Sequence, residues 1–171
     1  MTLVALQTER LTLRAPCLRD APVVAKVLNN FDISQWLTMV PFPYGITDAE
    51  WFINEAAKGN FSVYFIWQQD ILIGAMGVDD GLGYWLAQDH WGKGYATEAG
   101  QAVLTHYFAT TDADKTTASY FEGNAASCNV LTKLGFVGVG ADVHFSKARA
   151  AHVSVRNMEL TRSRWNALQN G

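Results

Sequence analysis

His90-Trp91-Gly92-Lys93-Gly94-Tyr95-Ala96-Thr97-Glu98-Ala99 follows closely on the apolar run Tyr84-Trp85-Leu86-Ala87. The apolar run reads as a strand, and the glycine-bearing segment reads as a turn that opens a helix. Glycines at 92 and 94 and the small Ala96 remove side-chain bulk where backbone N–H groups would otherwise be covered. The first N–H groups of a helix have no partner inside it, and the helix dipole adds partial positive charge there. Such a turn is a seat for a phosphate group.

Working outward, the segments on either side fit one mixed α/β domain over 1–171. Arg10–Arg14 alternates apolar and polar residues as a strand does, and Asp20 is placed to cap a helix over 21–28 that ends at Asn29-Asn30. Pro41 and Pro43 break the next segment into a loop. Thr47-Asp48-Ala49-Glu50 has the spacing of a capping box, opening a helix that stops near Gly59. Residues 61–67 and 71–78 read as strands joined at Gln69-Asp70. Asp79-Asp80-Gly81 turns into a third strand over 83–86. A helix over 96–108 presents Ala99, Ala102, Val103 and Tyr107 as an inner face. A strand over 116–121 and a helix over 124–134 follow, the latter ended by Gly135. Phe136–Val139 begins a strand, 140–152 reads as an exposed loop, 153–160 as the last strand and 163–168 as a tail helix.

Composition narrows the classes of function. The chain has 171 residues, 49% of them hydrophobic and only 17% charged, which suits a folded domain with a substantial core. Aromatic residues make up 12%, enough to suggest an apolar surface used for a ligand or a second subunit, so a monomer and a homodimer both stand open. The net charge of −3 and the lack of a basic run argue against nucleic-acid binding, so any phosphate must be held locally. No apolar stretch approaches the ~20 residues of a membrane span. The N-terminus turns charged too soon for a signal peptide, and two cysteines outside any metal or redox spacing suit a cytoplasmic setting. No metal site is expected.

Two common phosphate motifs are absent. Gly92-Lys93-Gly94 lacks the spacing of a P-loop, and Thr97 stands where a dinucleotide-binding fingerprint needs a small residue. A second motif, Asn124-Ala-Ala-Ser127-Cys-Asn-Val-Leu-Thr-Lys133-Leu-Gly135-Phe136, changes the reading. Together with Trp91-Gly-Lys-Gly94-Tyr-Ala96-Thr-Glu98 it resembles the GCN5-related N-acetyltransferases (GNAT), in particular the RimJ/RimL-like branch, which acetylates α-amino groups. Thr8–Arg14, Ile73-Gly74 and Gly83–Leu86 extend the resemblance over most of the chain. Trp91 departs from the Gln or Arg that the superfamily pattern carries.

The resemblance implies a mostly antiparallel mixed sheet with helices on both faces, and acetyl-CoA as cosubstrate. Trp91, Gly92, Lys93, Gly94, Tyr95, Ala96 and Thr97 would wrap its pyrophosphate. The strand at 83–86 would splay from its neighbour near 117–121, with the pantetheine arm bonded to backbone of Tyr84, Trp85 and Leu86. It also implies that Ser127 protonates the departing thiolate. The phenol that other members use four residues later is replaced by Leu131.

Acyl transfer to an amine needs a neutral nitrogen, a donor for the developing oxyanion and a proton for the thiolate. Asn124 fits both a helix cap and a cofactor contact, and Ser127 one turn later fits a proton donor or a simple contact. Glu98 is a candidate catalytic carboxylate, although its place in the first helical turn suits the dipole better. Asp79 and Asp80 read as turn formers, Glu159 as a strand residue, and His144 and His152 as loop histidines. Cys128 lacks a nearby histidine in the following turn and is discounted as a nucleophile. Trp51 and Phe52 read as core, whereas Trp36 and Tyr44, in a proline-broken segment, are candidates for the acceptor groove. Arg149 and Arg156 suit surface charge, with attraction of an acidic acceptor or a CoA phosphate as the alternative. The expected reaction is acetyl transfer to a primary amine, first of all a peptide N-terminus. Small-molecule amines, a non-catalytic CoA sensor and a purely structural partner are the alternatives.

Overall fold

The computed structural model describes residues 3–171. Five strands form one antiparallel sheet in sequence order: β1 (Leu6–Gln7), β2 (Thr12–Arg14), β3 (Val63–Gln68), β4 (Ile71–Gly77) and β5 (Gly83–Leu86). A second sheet has the order β6 (Lys115–Phe121), β8 (Ala151–Thr161), β7 (Val137–Ser146), again antiparallel. The two sheets meet at one parallel bridge, Leu82 with Ala118.

Alternation along β3 assigns its two faces. Tyr64 and Ile66 point into a core shared with Ala99, Val103 and Leu104 of α4 (Tyr95–Thr110) and Leu131 of α5 (Ala125–Lys133). Val63 and Phe65 point the other way, against Val24 and Leu28 of α1 (Ala21–Leu28) and Ala49 and Ile53 of α3 (Ile46–Ala57). Each fully buried side chain of this size contributes about 1.5–3 kcal/mol. Helices therefore cover both faces of the first sheet, as the α/β reading requires. A four-residue helix α2 (Phe31–Ser34) and a C-terminal α6 (Arg162–Gln169) complete the elements.

Three local expectations are corrected. The segment 140–152 is a long hairpin, with β7 running to Ser146 and β8 starting at Ala151. Nearly every residue of β7 is exposed and Val139 is bulged out of the ladder, so the strand lacks the in–out alternation that marks one in sequence. The helix α3 starts at Ile46, with the Gly45 N–H donating to Asp48 Oδ2 at 2.8 Å, and not with Thr47 as cap. That phase buries Ala49 and Ile53 and turns Trp51 outward, 63% exposed. Asp20 makes no side-chain cap; its carboxylate accepts from the Cys17 N–H at 3.0 Å and pairs with Arg14 at 3.2 Å.

Candidate active site

The cleft exists because two strands join at one end and part at the other. Leu82 N–H donates to the Thr117 carbonyl at 2.7 Å, and Gly81 packs so tightly there that a Cβ would fall 2.9 Å from that oxygen. Beyond this point β5 and β6 belong to different sheets. Gly74 brings β5 close against β4, since a Cβ on it would sit 2.3 Å from the Trp85 carbonyl oxygen. The opening between β5 and β6 is a cleft of about 1300 Å³ lined by both strand edges and by the starts of α4 and α5.

One end is the glycine turn. Gly92 and Gly94 both have left-handed backbone, at φ +70° and +81°, and Gly94 is the residue that precedes α4. No side chain caps that helix start, which leaves its first N–H groups without a side-chain partner, and Trp91, Gly92, Gly94, Tyr95, Ala96 and Thr97 line the cleft. The Trp91 indole N–H donates to the Leu86 carbonyl at 2.9 Å, which ties the turn to the end of β5. Lys133 is the one lysine or arginine along the cleft among the described residues, so backbone dipoles supply most of the positive field.

Arg10 and Glu98 brace the turn from behind. Arg10 Nη1 donates to the Lys93 carbonyl at 3.0 Å, and Arg10 Nε donates to Glu98 Oε2 at 2.7 Å. Glu98 Oε1 also accepts from the Thr8 hydroxyl at 2.6 Å and the Arg10 N–H at 2.9 Å. Burial pushes the Glu98 carboxyl up, but the Thr8 hydroxyl, the Arg10 N–H and the Arg10 guanidinium together outweigh it and hold the group below its usual range. Glu98 and Lys93 are not among the residues that line the cleft. A carboxylate so engaged is an anchor between the β1–β2 connection and α4, with three of its acceptor sites already taken.

In the middle of the cleft stand Tyr84, Trp85 and Leu86 on one side and Asn124 and Ser127 on the other. Asn124 Oδ1 accepts from the Ser127 N–H at 3.2 Å, so Asn124 caps α5. Gly135, at φ +101°, ends the same helix, and the Phe136 N–H returns to the Leu131 carbonyl at 3.0 Å. Leu131 itself is core. The Ser127 hydroxyl and the Tyr84 phenol both line the cleft. Burial raises the phenol above its ordinary value and the Ser127 side chain lowers it by less. Tyr84 therefore brings a phenol to the cleft from β5, a source hidden by the search for one on α5. Tyr120, also on the cleft wall, is pushed up chiefly by its hydrogen bond with the Cys128 side chain.

The far end is walled by Ile33, Trp36, Leu37 and Met39 and by the hairpin β7–β8. Trp36 lines the cleft there; Tyr44 does not. It is 6% exposed within the α1–α3 core, because its N–H is drawn to Asn29 Oδ1 at 3.0 Å. The turn 147–150 reaches across: Lys147 N–H donates to the Thr38 carbonyl at 3.1 Å and Arg149 Nε to the Gln35 carbonyl at 2.8 Å. His144 and Asn157 line this end, and Asp80 lines the cleft from the β4–β5 turn. Glu159 instead pairs with Lys115 at 2.7 Å, and Arg156 pairs with Glu122 at 2.6 Å. No group of three metal-ligating side chains occurs among the described residues, and no helix is long and apolar enough to cross a membrane.

A split sheet with an uncapped glycine turn at one end of the gap is a cleft that can seat a phosphorylated ligand. The acetyltransferase (GNAT) domain family matches residues 10–137, and the chain belongs to that family. The uncharacterized N-acetyltransferase p20 of Bacillus licheniformis is 28% identical over 170 residues, covering 91% of this chain and 94% of that protein. The fold is shared with RimL, a ribosomal L7/L12 alpha-N-protein acetyltransferase solved with coenzyme A, at TM-score 0.80 and 18% identity, over 92% of this chain and 98% of RimL. It is shared also with Mycobacterium smegmatis RimJ, solved with a CoA disulfide, at TM-score 0.78 and 22% identity, over 95% of this chain and 88% of RimJ.

Proposed function

We propose that this acetyltransferase moves the acetyl group of acetyl-CoA directly onto a primary amine, first of all the N-terminal α-amine of a protein or peptide, in the cytoplasm. The observation that carries this reading is the through-going cleft. The glycine turn stands at one end, Ser127 and Tyr84 in the middle and an aromatic-walled chamber at the other. In this reading the N–H groups of 92–97 hold the pyrophosphate, the edges of β5 and β6 hold the pantetheine arm, and Asn124 and Ser127 meet its thiol end.

The chemistry follows from the groups present. The acceptor nitrogen attacks the thioester carbon, the C–N bond forms, and the C–S bond breaks. A thiolate leaves, and Ser127 is the hydroxyl placed to hand it a proton. An α-amine, with a pKa of about 7.7–8.0, is partly neutral at cellular pH, whereas a lysine amine near 10.4 is not. This difference favours α-amines over lysine side chains. RimL and RimJ, as named, supply the same preference by analogy of fold.

Thiol release from acetyl-CoA, measured against peptides with free N-termini, polyamines, amino acids and aminoglycosides, tests the reading. Release that depends on a peptide amine supports it. Release with small amines alone moves the acceptor class, and tight CoA binding without release to any amine leaves a sensor.

A further inference from the structure

The acceptor end of the cleft holds an imidazole that the fold does not require. His144 pairs with Val153 across the β7–β8 ladder. Residues opposite one another in a ladder share a face, and the face repeats every second residue. The pairs Asp142–Val155, Val155–Phe121 and Asn157–Ser119 put His144 and Asp142 on the face that carries Phe121, Asn157 and Ser119. His144, Phe121, Asn157 and Ser119 all line the cleft. Asp142 Oδ2 lies 3.8 Å from His144 Nε2.

We propose that His144 accepts the proton that the acceptor amine loses, with Asp142 as a positioning residue whose negative charge, 3.8 Å from Nε2, favours the imidazolium that forms. The assignment rests on the acetyl-transfer reading above. As the C–N bond forms, the N–H proton passes to the imidazole. As the C–S bond breaks, the sulfur takes the Ser127 proton. His144 then releases its proton to water, and Ser127 regains one from water, so the enzyme returns to its starting state.

The other ionisable groups along the cleft are Asp80, Tyr84, His90, Tyr95, Tyr120 and Lys133, with Lys147 and Arg149 in the adjoining turn; Tyr95 lies at the glycine turn and its hydroxyl accepts from Gln68 Nε2 at 2.6 Å. The Tyr84 phenol is held above its ordinary range by burial and the Tyr120 phenol by the Cys128 side chain, so both stay protonated and cannot take the proton. His90 adjoins the glycine turn, at the donor end. Lysine and arginine are already protonated. Asp80 is the competing base, and a carboxylate is a weaker match to an amine near neutrality than an imidazole.

The test uses thiol release from acetyl-CoA with short peptides bearing free α-amino groups, at saturating peptide, across pH 5.5–9. His144→Gln is expected to lower kcat about 100-fold with an unchanged KM for acetyl-CoA, and to lose the acidic limb of the profile. His144→Glu is expected to restore part of the rate with the limb moved to lower pH. Asp142→Asn should cost about 3- to 10-fold, and Asp80→Asn should keep the limb. A CoA-induced thermal shift equal to that of the wild type shows each variant folded. A His144→Gln variant that keeps rate or limb overturns the proposal, as does loss of the limb in Asp80→Asn. A wild type that acetylates no amine overturns the transferase reading itself, a result distinct from either.

Discussion

Arg149 holds its guanidinium 4.8 Å from the centre of the Trp36 ring. The same group lies 5.3 Å from the Phe121 ring, so it is clamped between two walls of the far end of the cleft. Its Nε bond to Gln35 and the neighbouring Lys147–Thr38 bond make the hairpin turn a strap over that end of the cleft. Arg149→Ala removes the stack and one hydrogen bond, worth about 1–2 kcal/mol together. Trp36 then loses its support while the glycine turn is untouched. The expected result is a several-fold higher KM for the peptide amine with an unchanged KM for acetyl-CoA. Arg149→Lys should recover little, since an ammonium cannot stack between two rings. A KM that rises equally for both substrates would place the strap's influence elsewhere.

Ser127 and Tyr84 act as a unit in the proposed proton delivery. Ser127→Ala should lower kcat about 100-fold with a smaller change in KM for acetyl-CoA. Tyr84→Phe keeps the ring and loses only the hydroxyl, so its cost should be smaller, about 3- to 10-fold. The double variant should be no slower than Ser127→Ala alone, because the phenol acts only beside the serine hydroxyl in this reading. Independent losses that multiply would separate the two residues, and equal losses in binding and turnover would reduce Ser127 to a contact.

The parts of the site that could be read in the sequence are those governed by local chemistry. The glycine turn, the Asn124 cap and the Gly135 stop each need particular residues at fixed offsets, and each forms where expected. What escaped depends on long-range register. His144 reaches the cleft only because β7 pairs with β8, and β7 is an exposed edge strand with a bulge and little alternation. Tyr84 meets Ser127 only because β5 and α5 face each other across the split. Trp36 and Tyr44 are alike in sequence terms, and the backbone bond to Asn29 sends one of them to the core. Trp51 shows the limit of composition: an aromatic residue on a helix is buried only if its angular position is, and α3 begins two residues earlier than the Thr47 spacing suggests.

Gly94 separates backbone strain from charge. Its φ of +81° is left-handed, and a Cβ there would lie 3.4 Å from Arg10 Nη2. Gly94→Ala should therefore cost stability, about 1 kcal/mol from the strained backbone, with a modest loss of CoA affinity. Gly94→Asp adds a negative charge where the pyrophosphate is proposed to sit, and should weaken CoA binding at least 100-fold by calorimetry. Equal affinity in the two variants would remove the turn from the cofactor site.

Glu98 provides a prediction on stability alone. Its carboxylate ties Thr8 and Arg10 to the first turn of α4 and is held below its usual range in the folded chain. A group whose folded value is depressed contributes stability that is fully present above the unfolded value, about 4.3, and fades as pH falls through the folded one. Glu98→Gln should thus destabilise the protein by about 1.5–3 kcal/mol at pH 7, since hydrogen bonds to a charged group are being lost. The gap between wild type and variant in urea midpoints should narrow steadily below pH 4. Because Glu98 stands outside the cleft, kcat of the folded variant should stay within a few-fold of the wild type. A large loss of kcat with no loss of stability would return this carboxylate to the reaction.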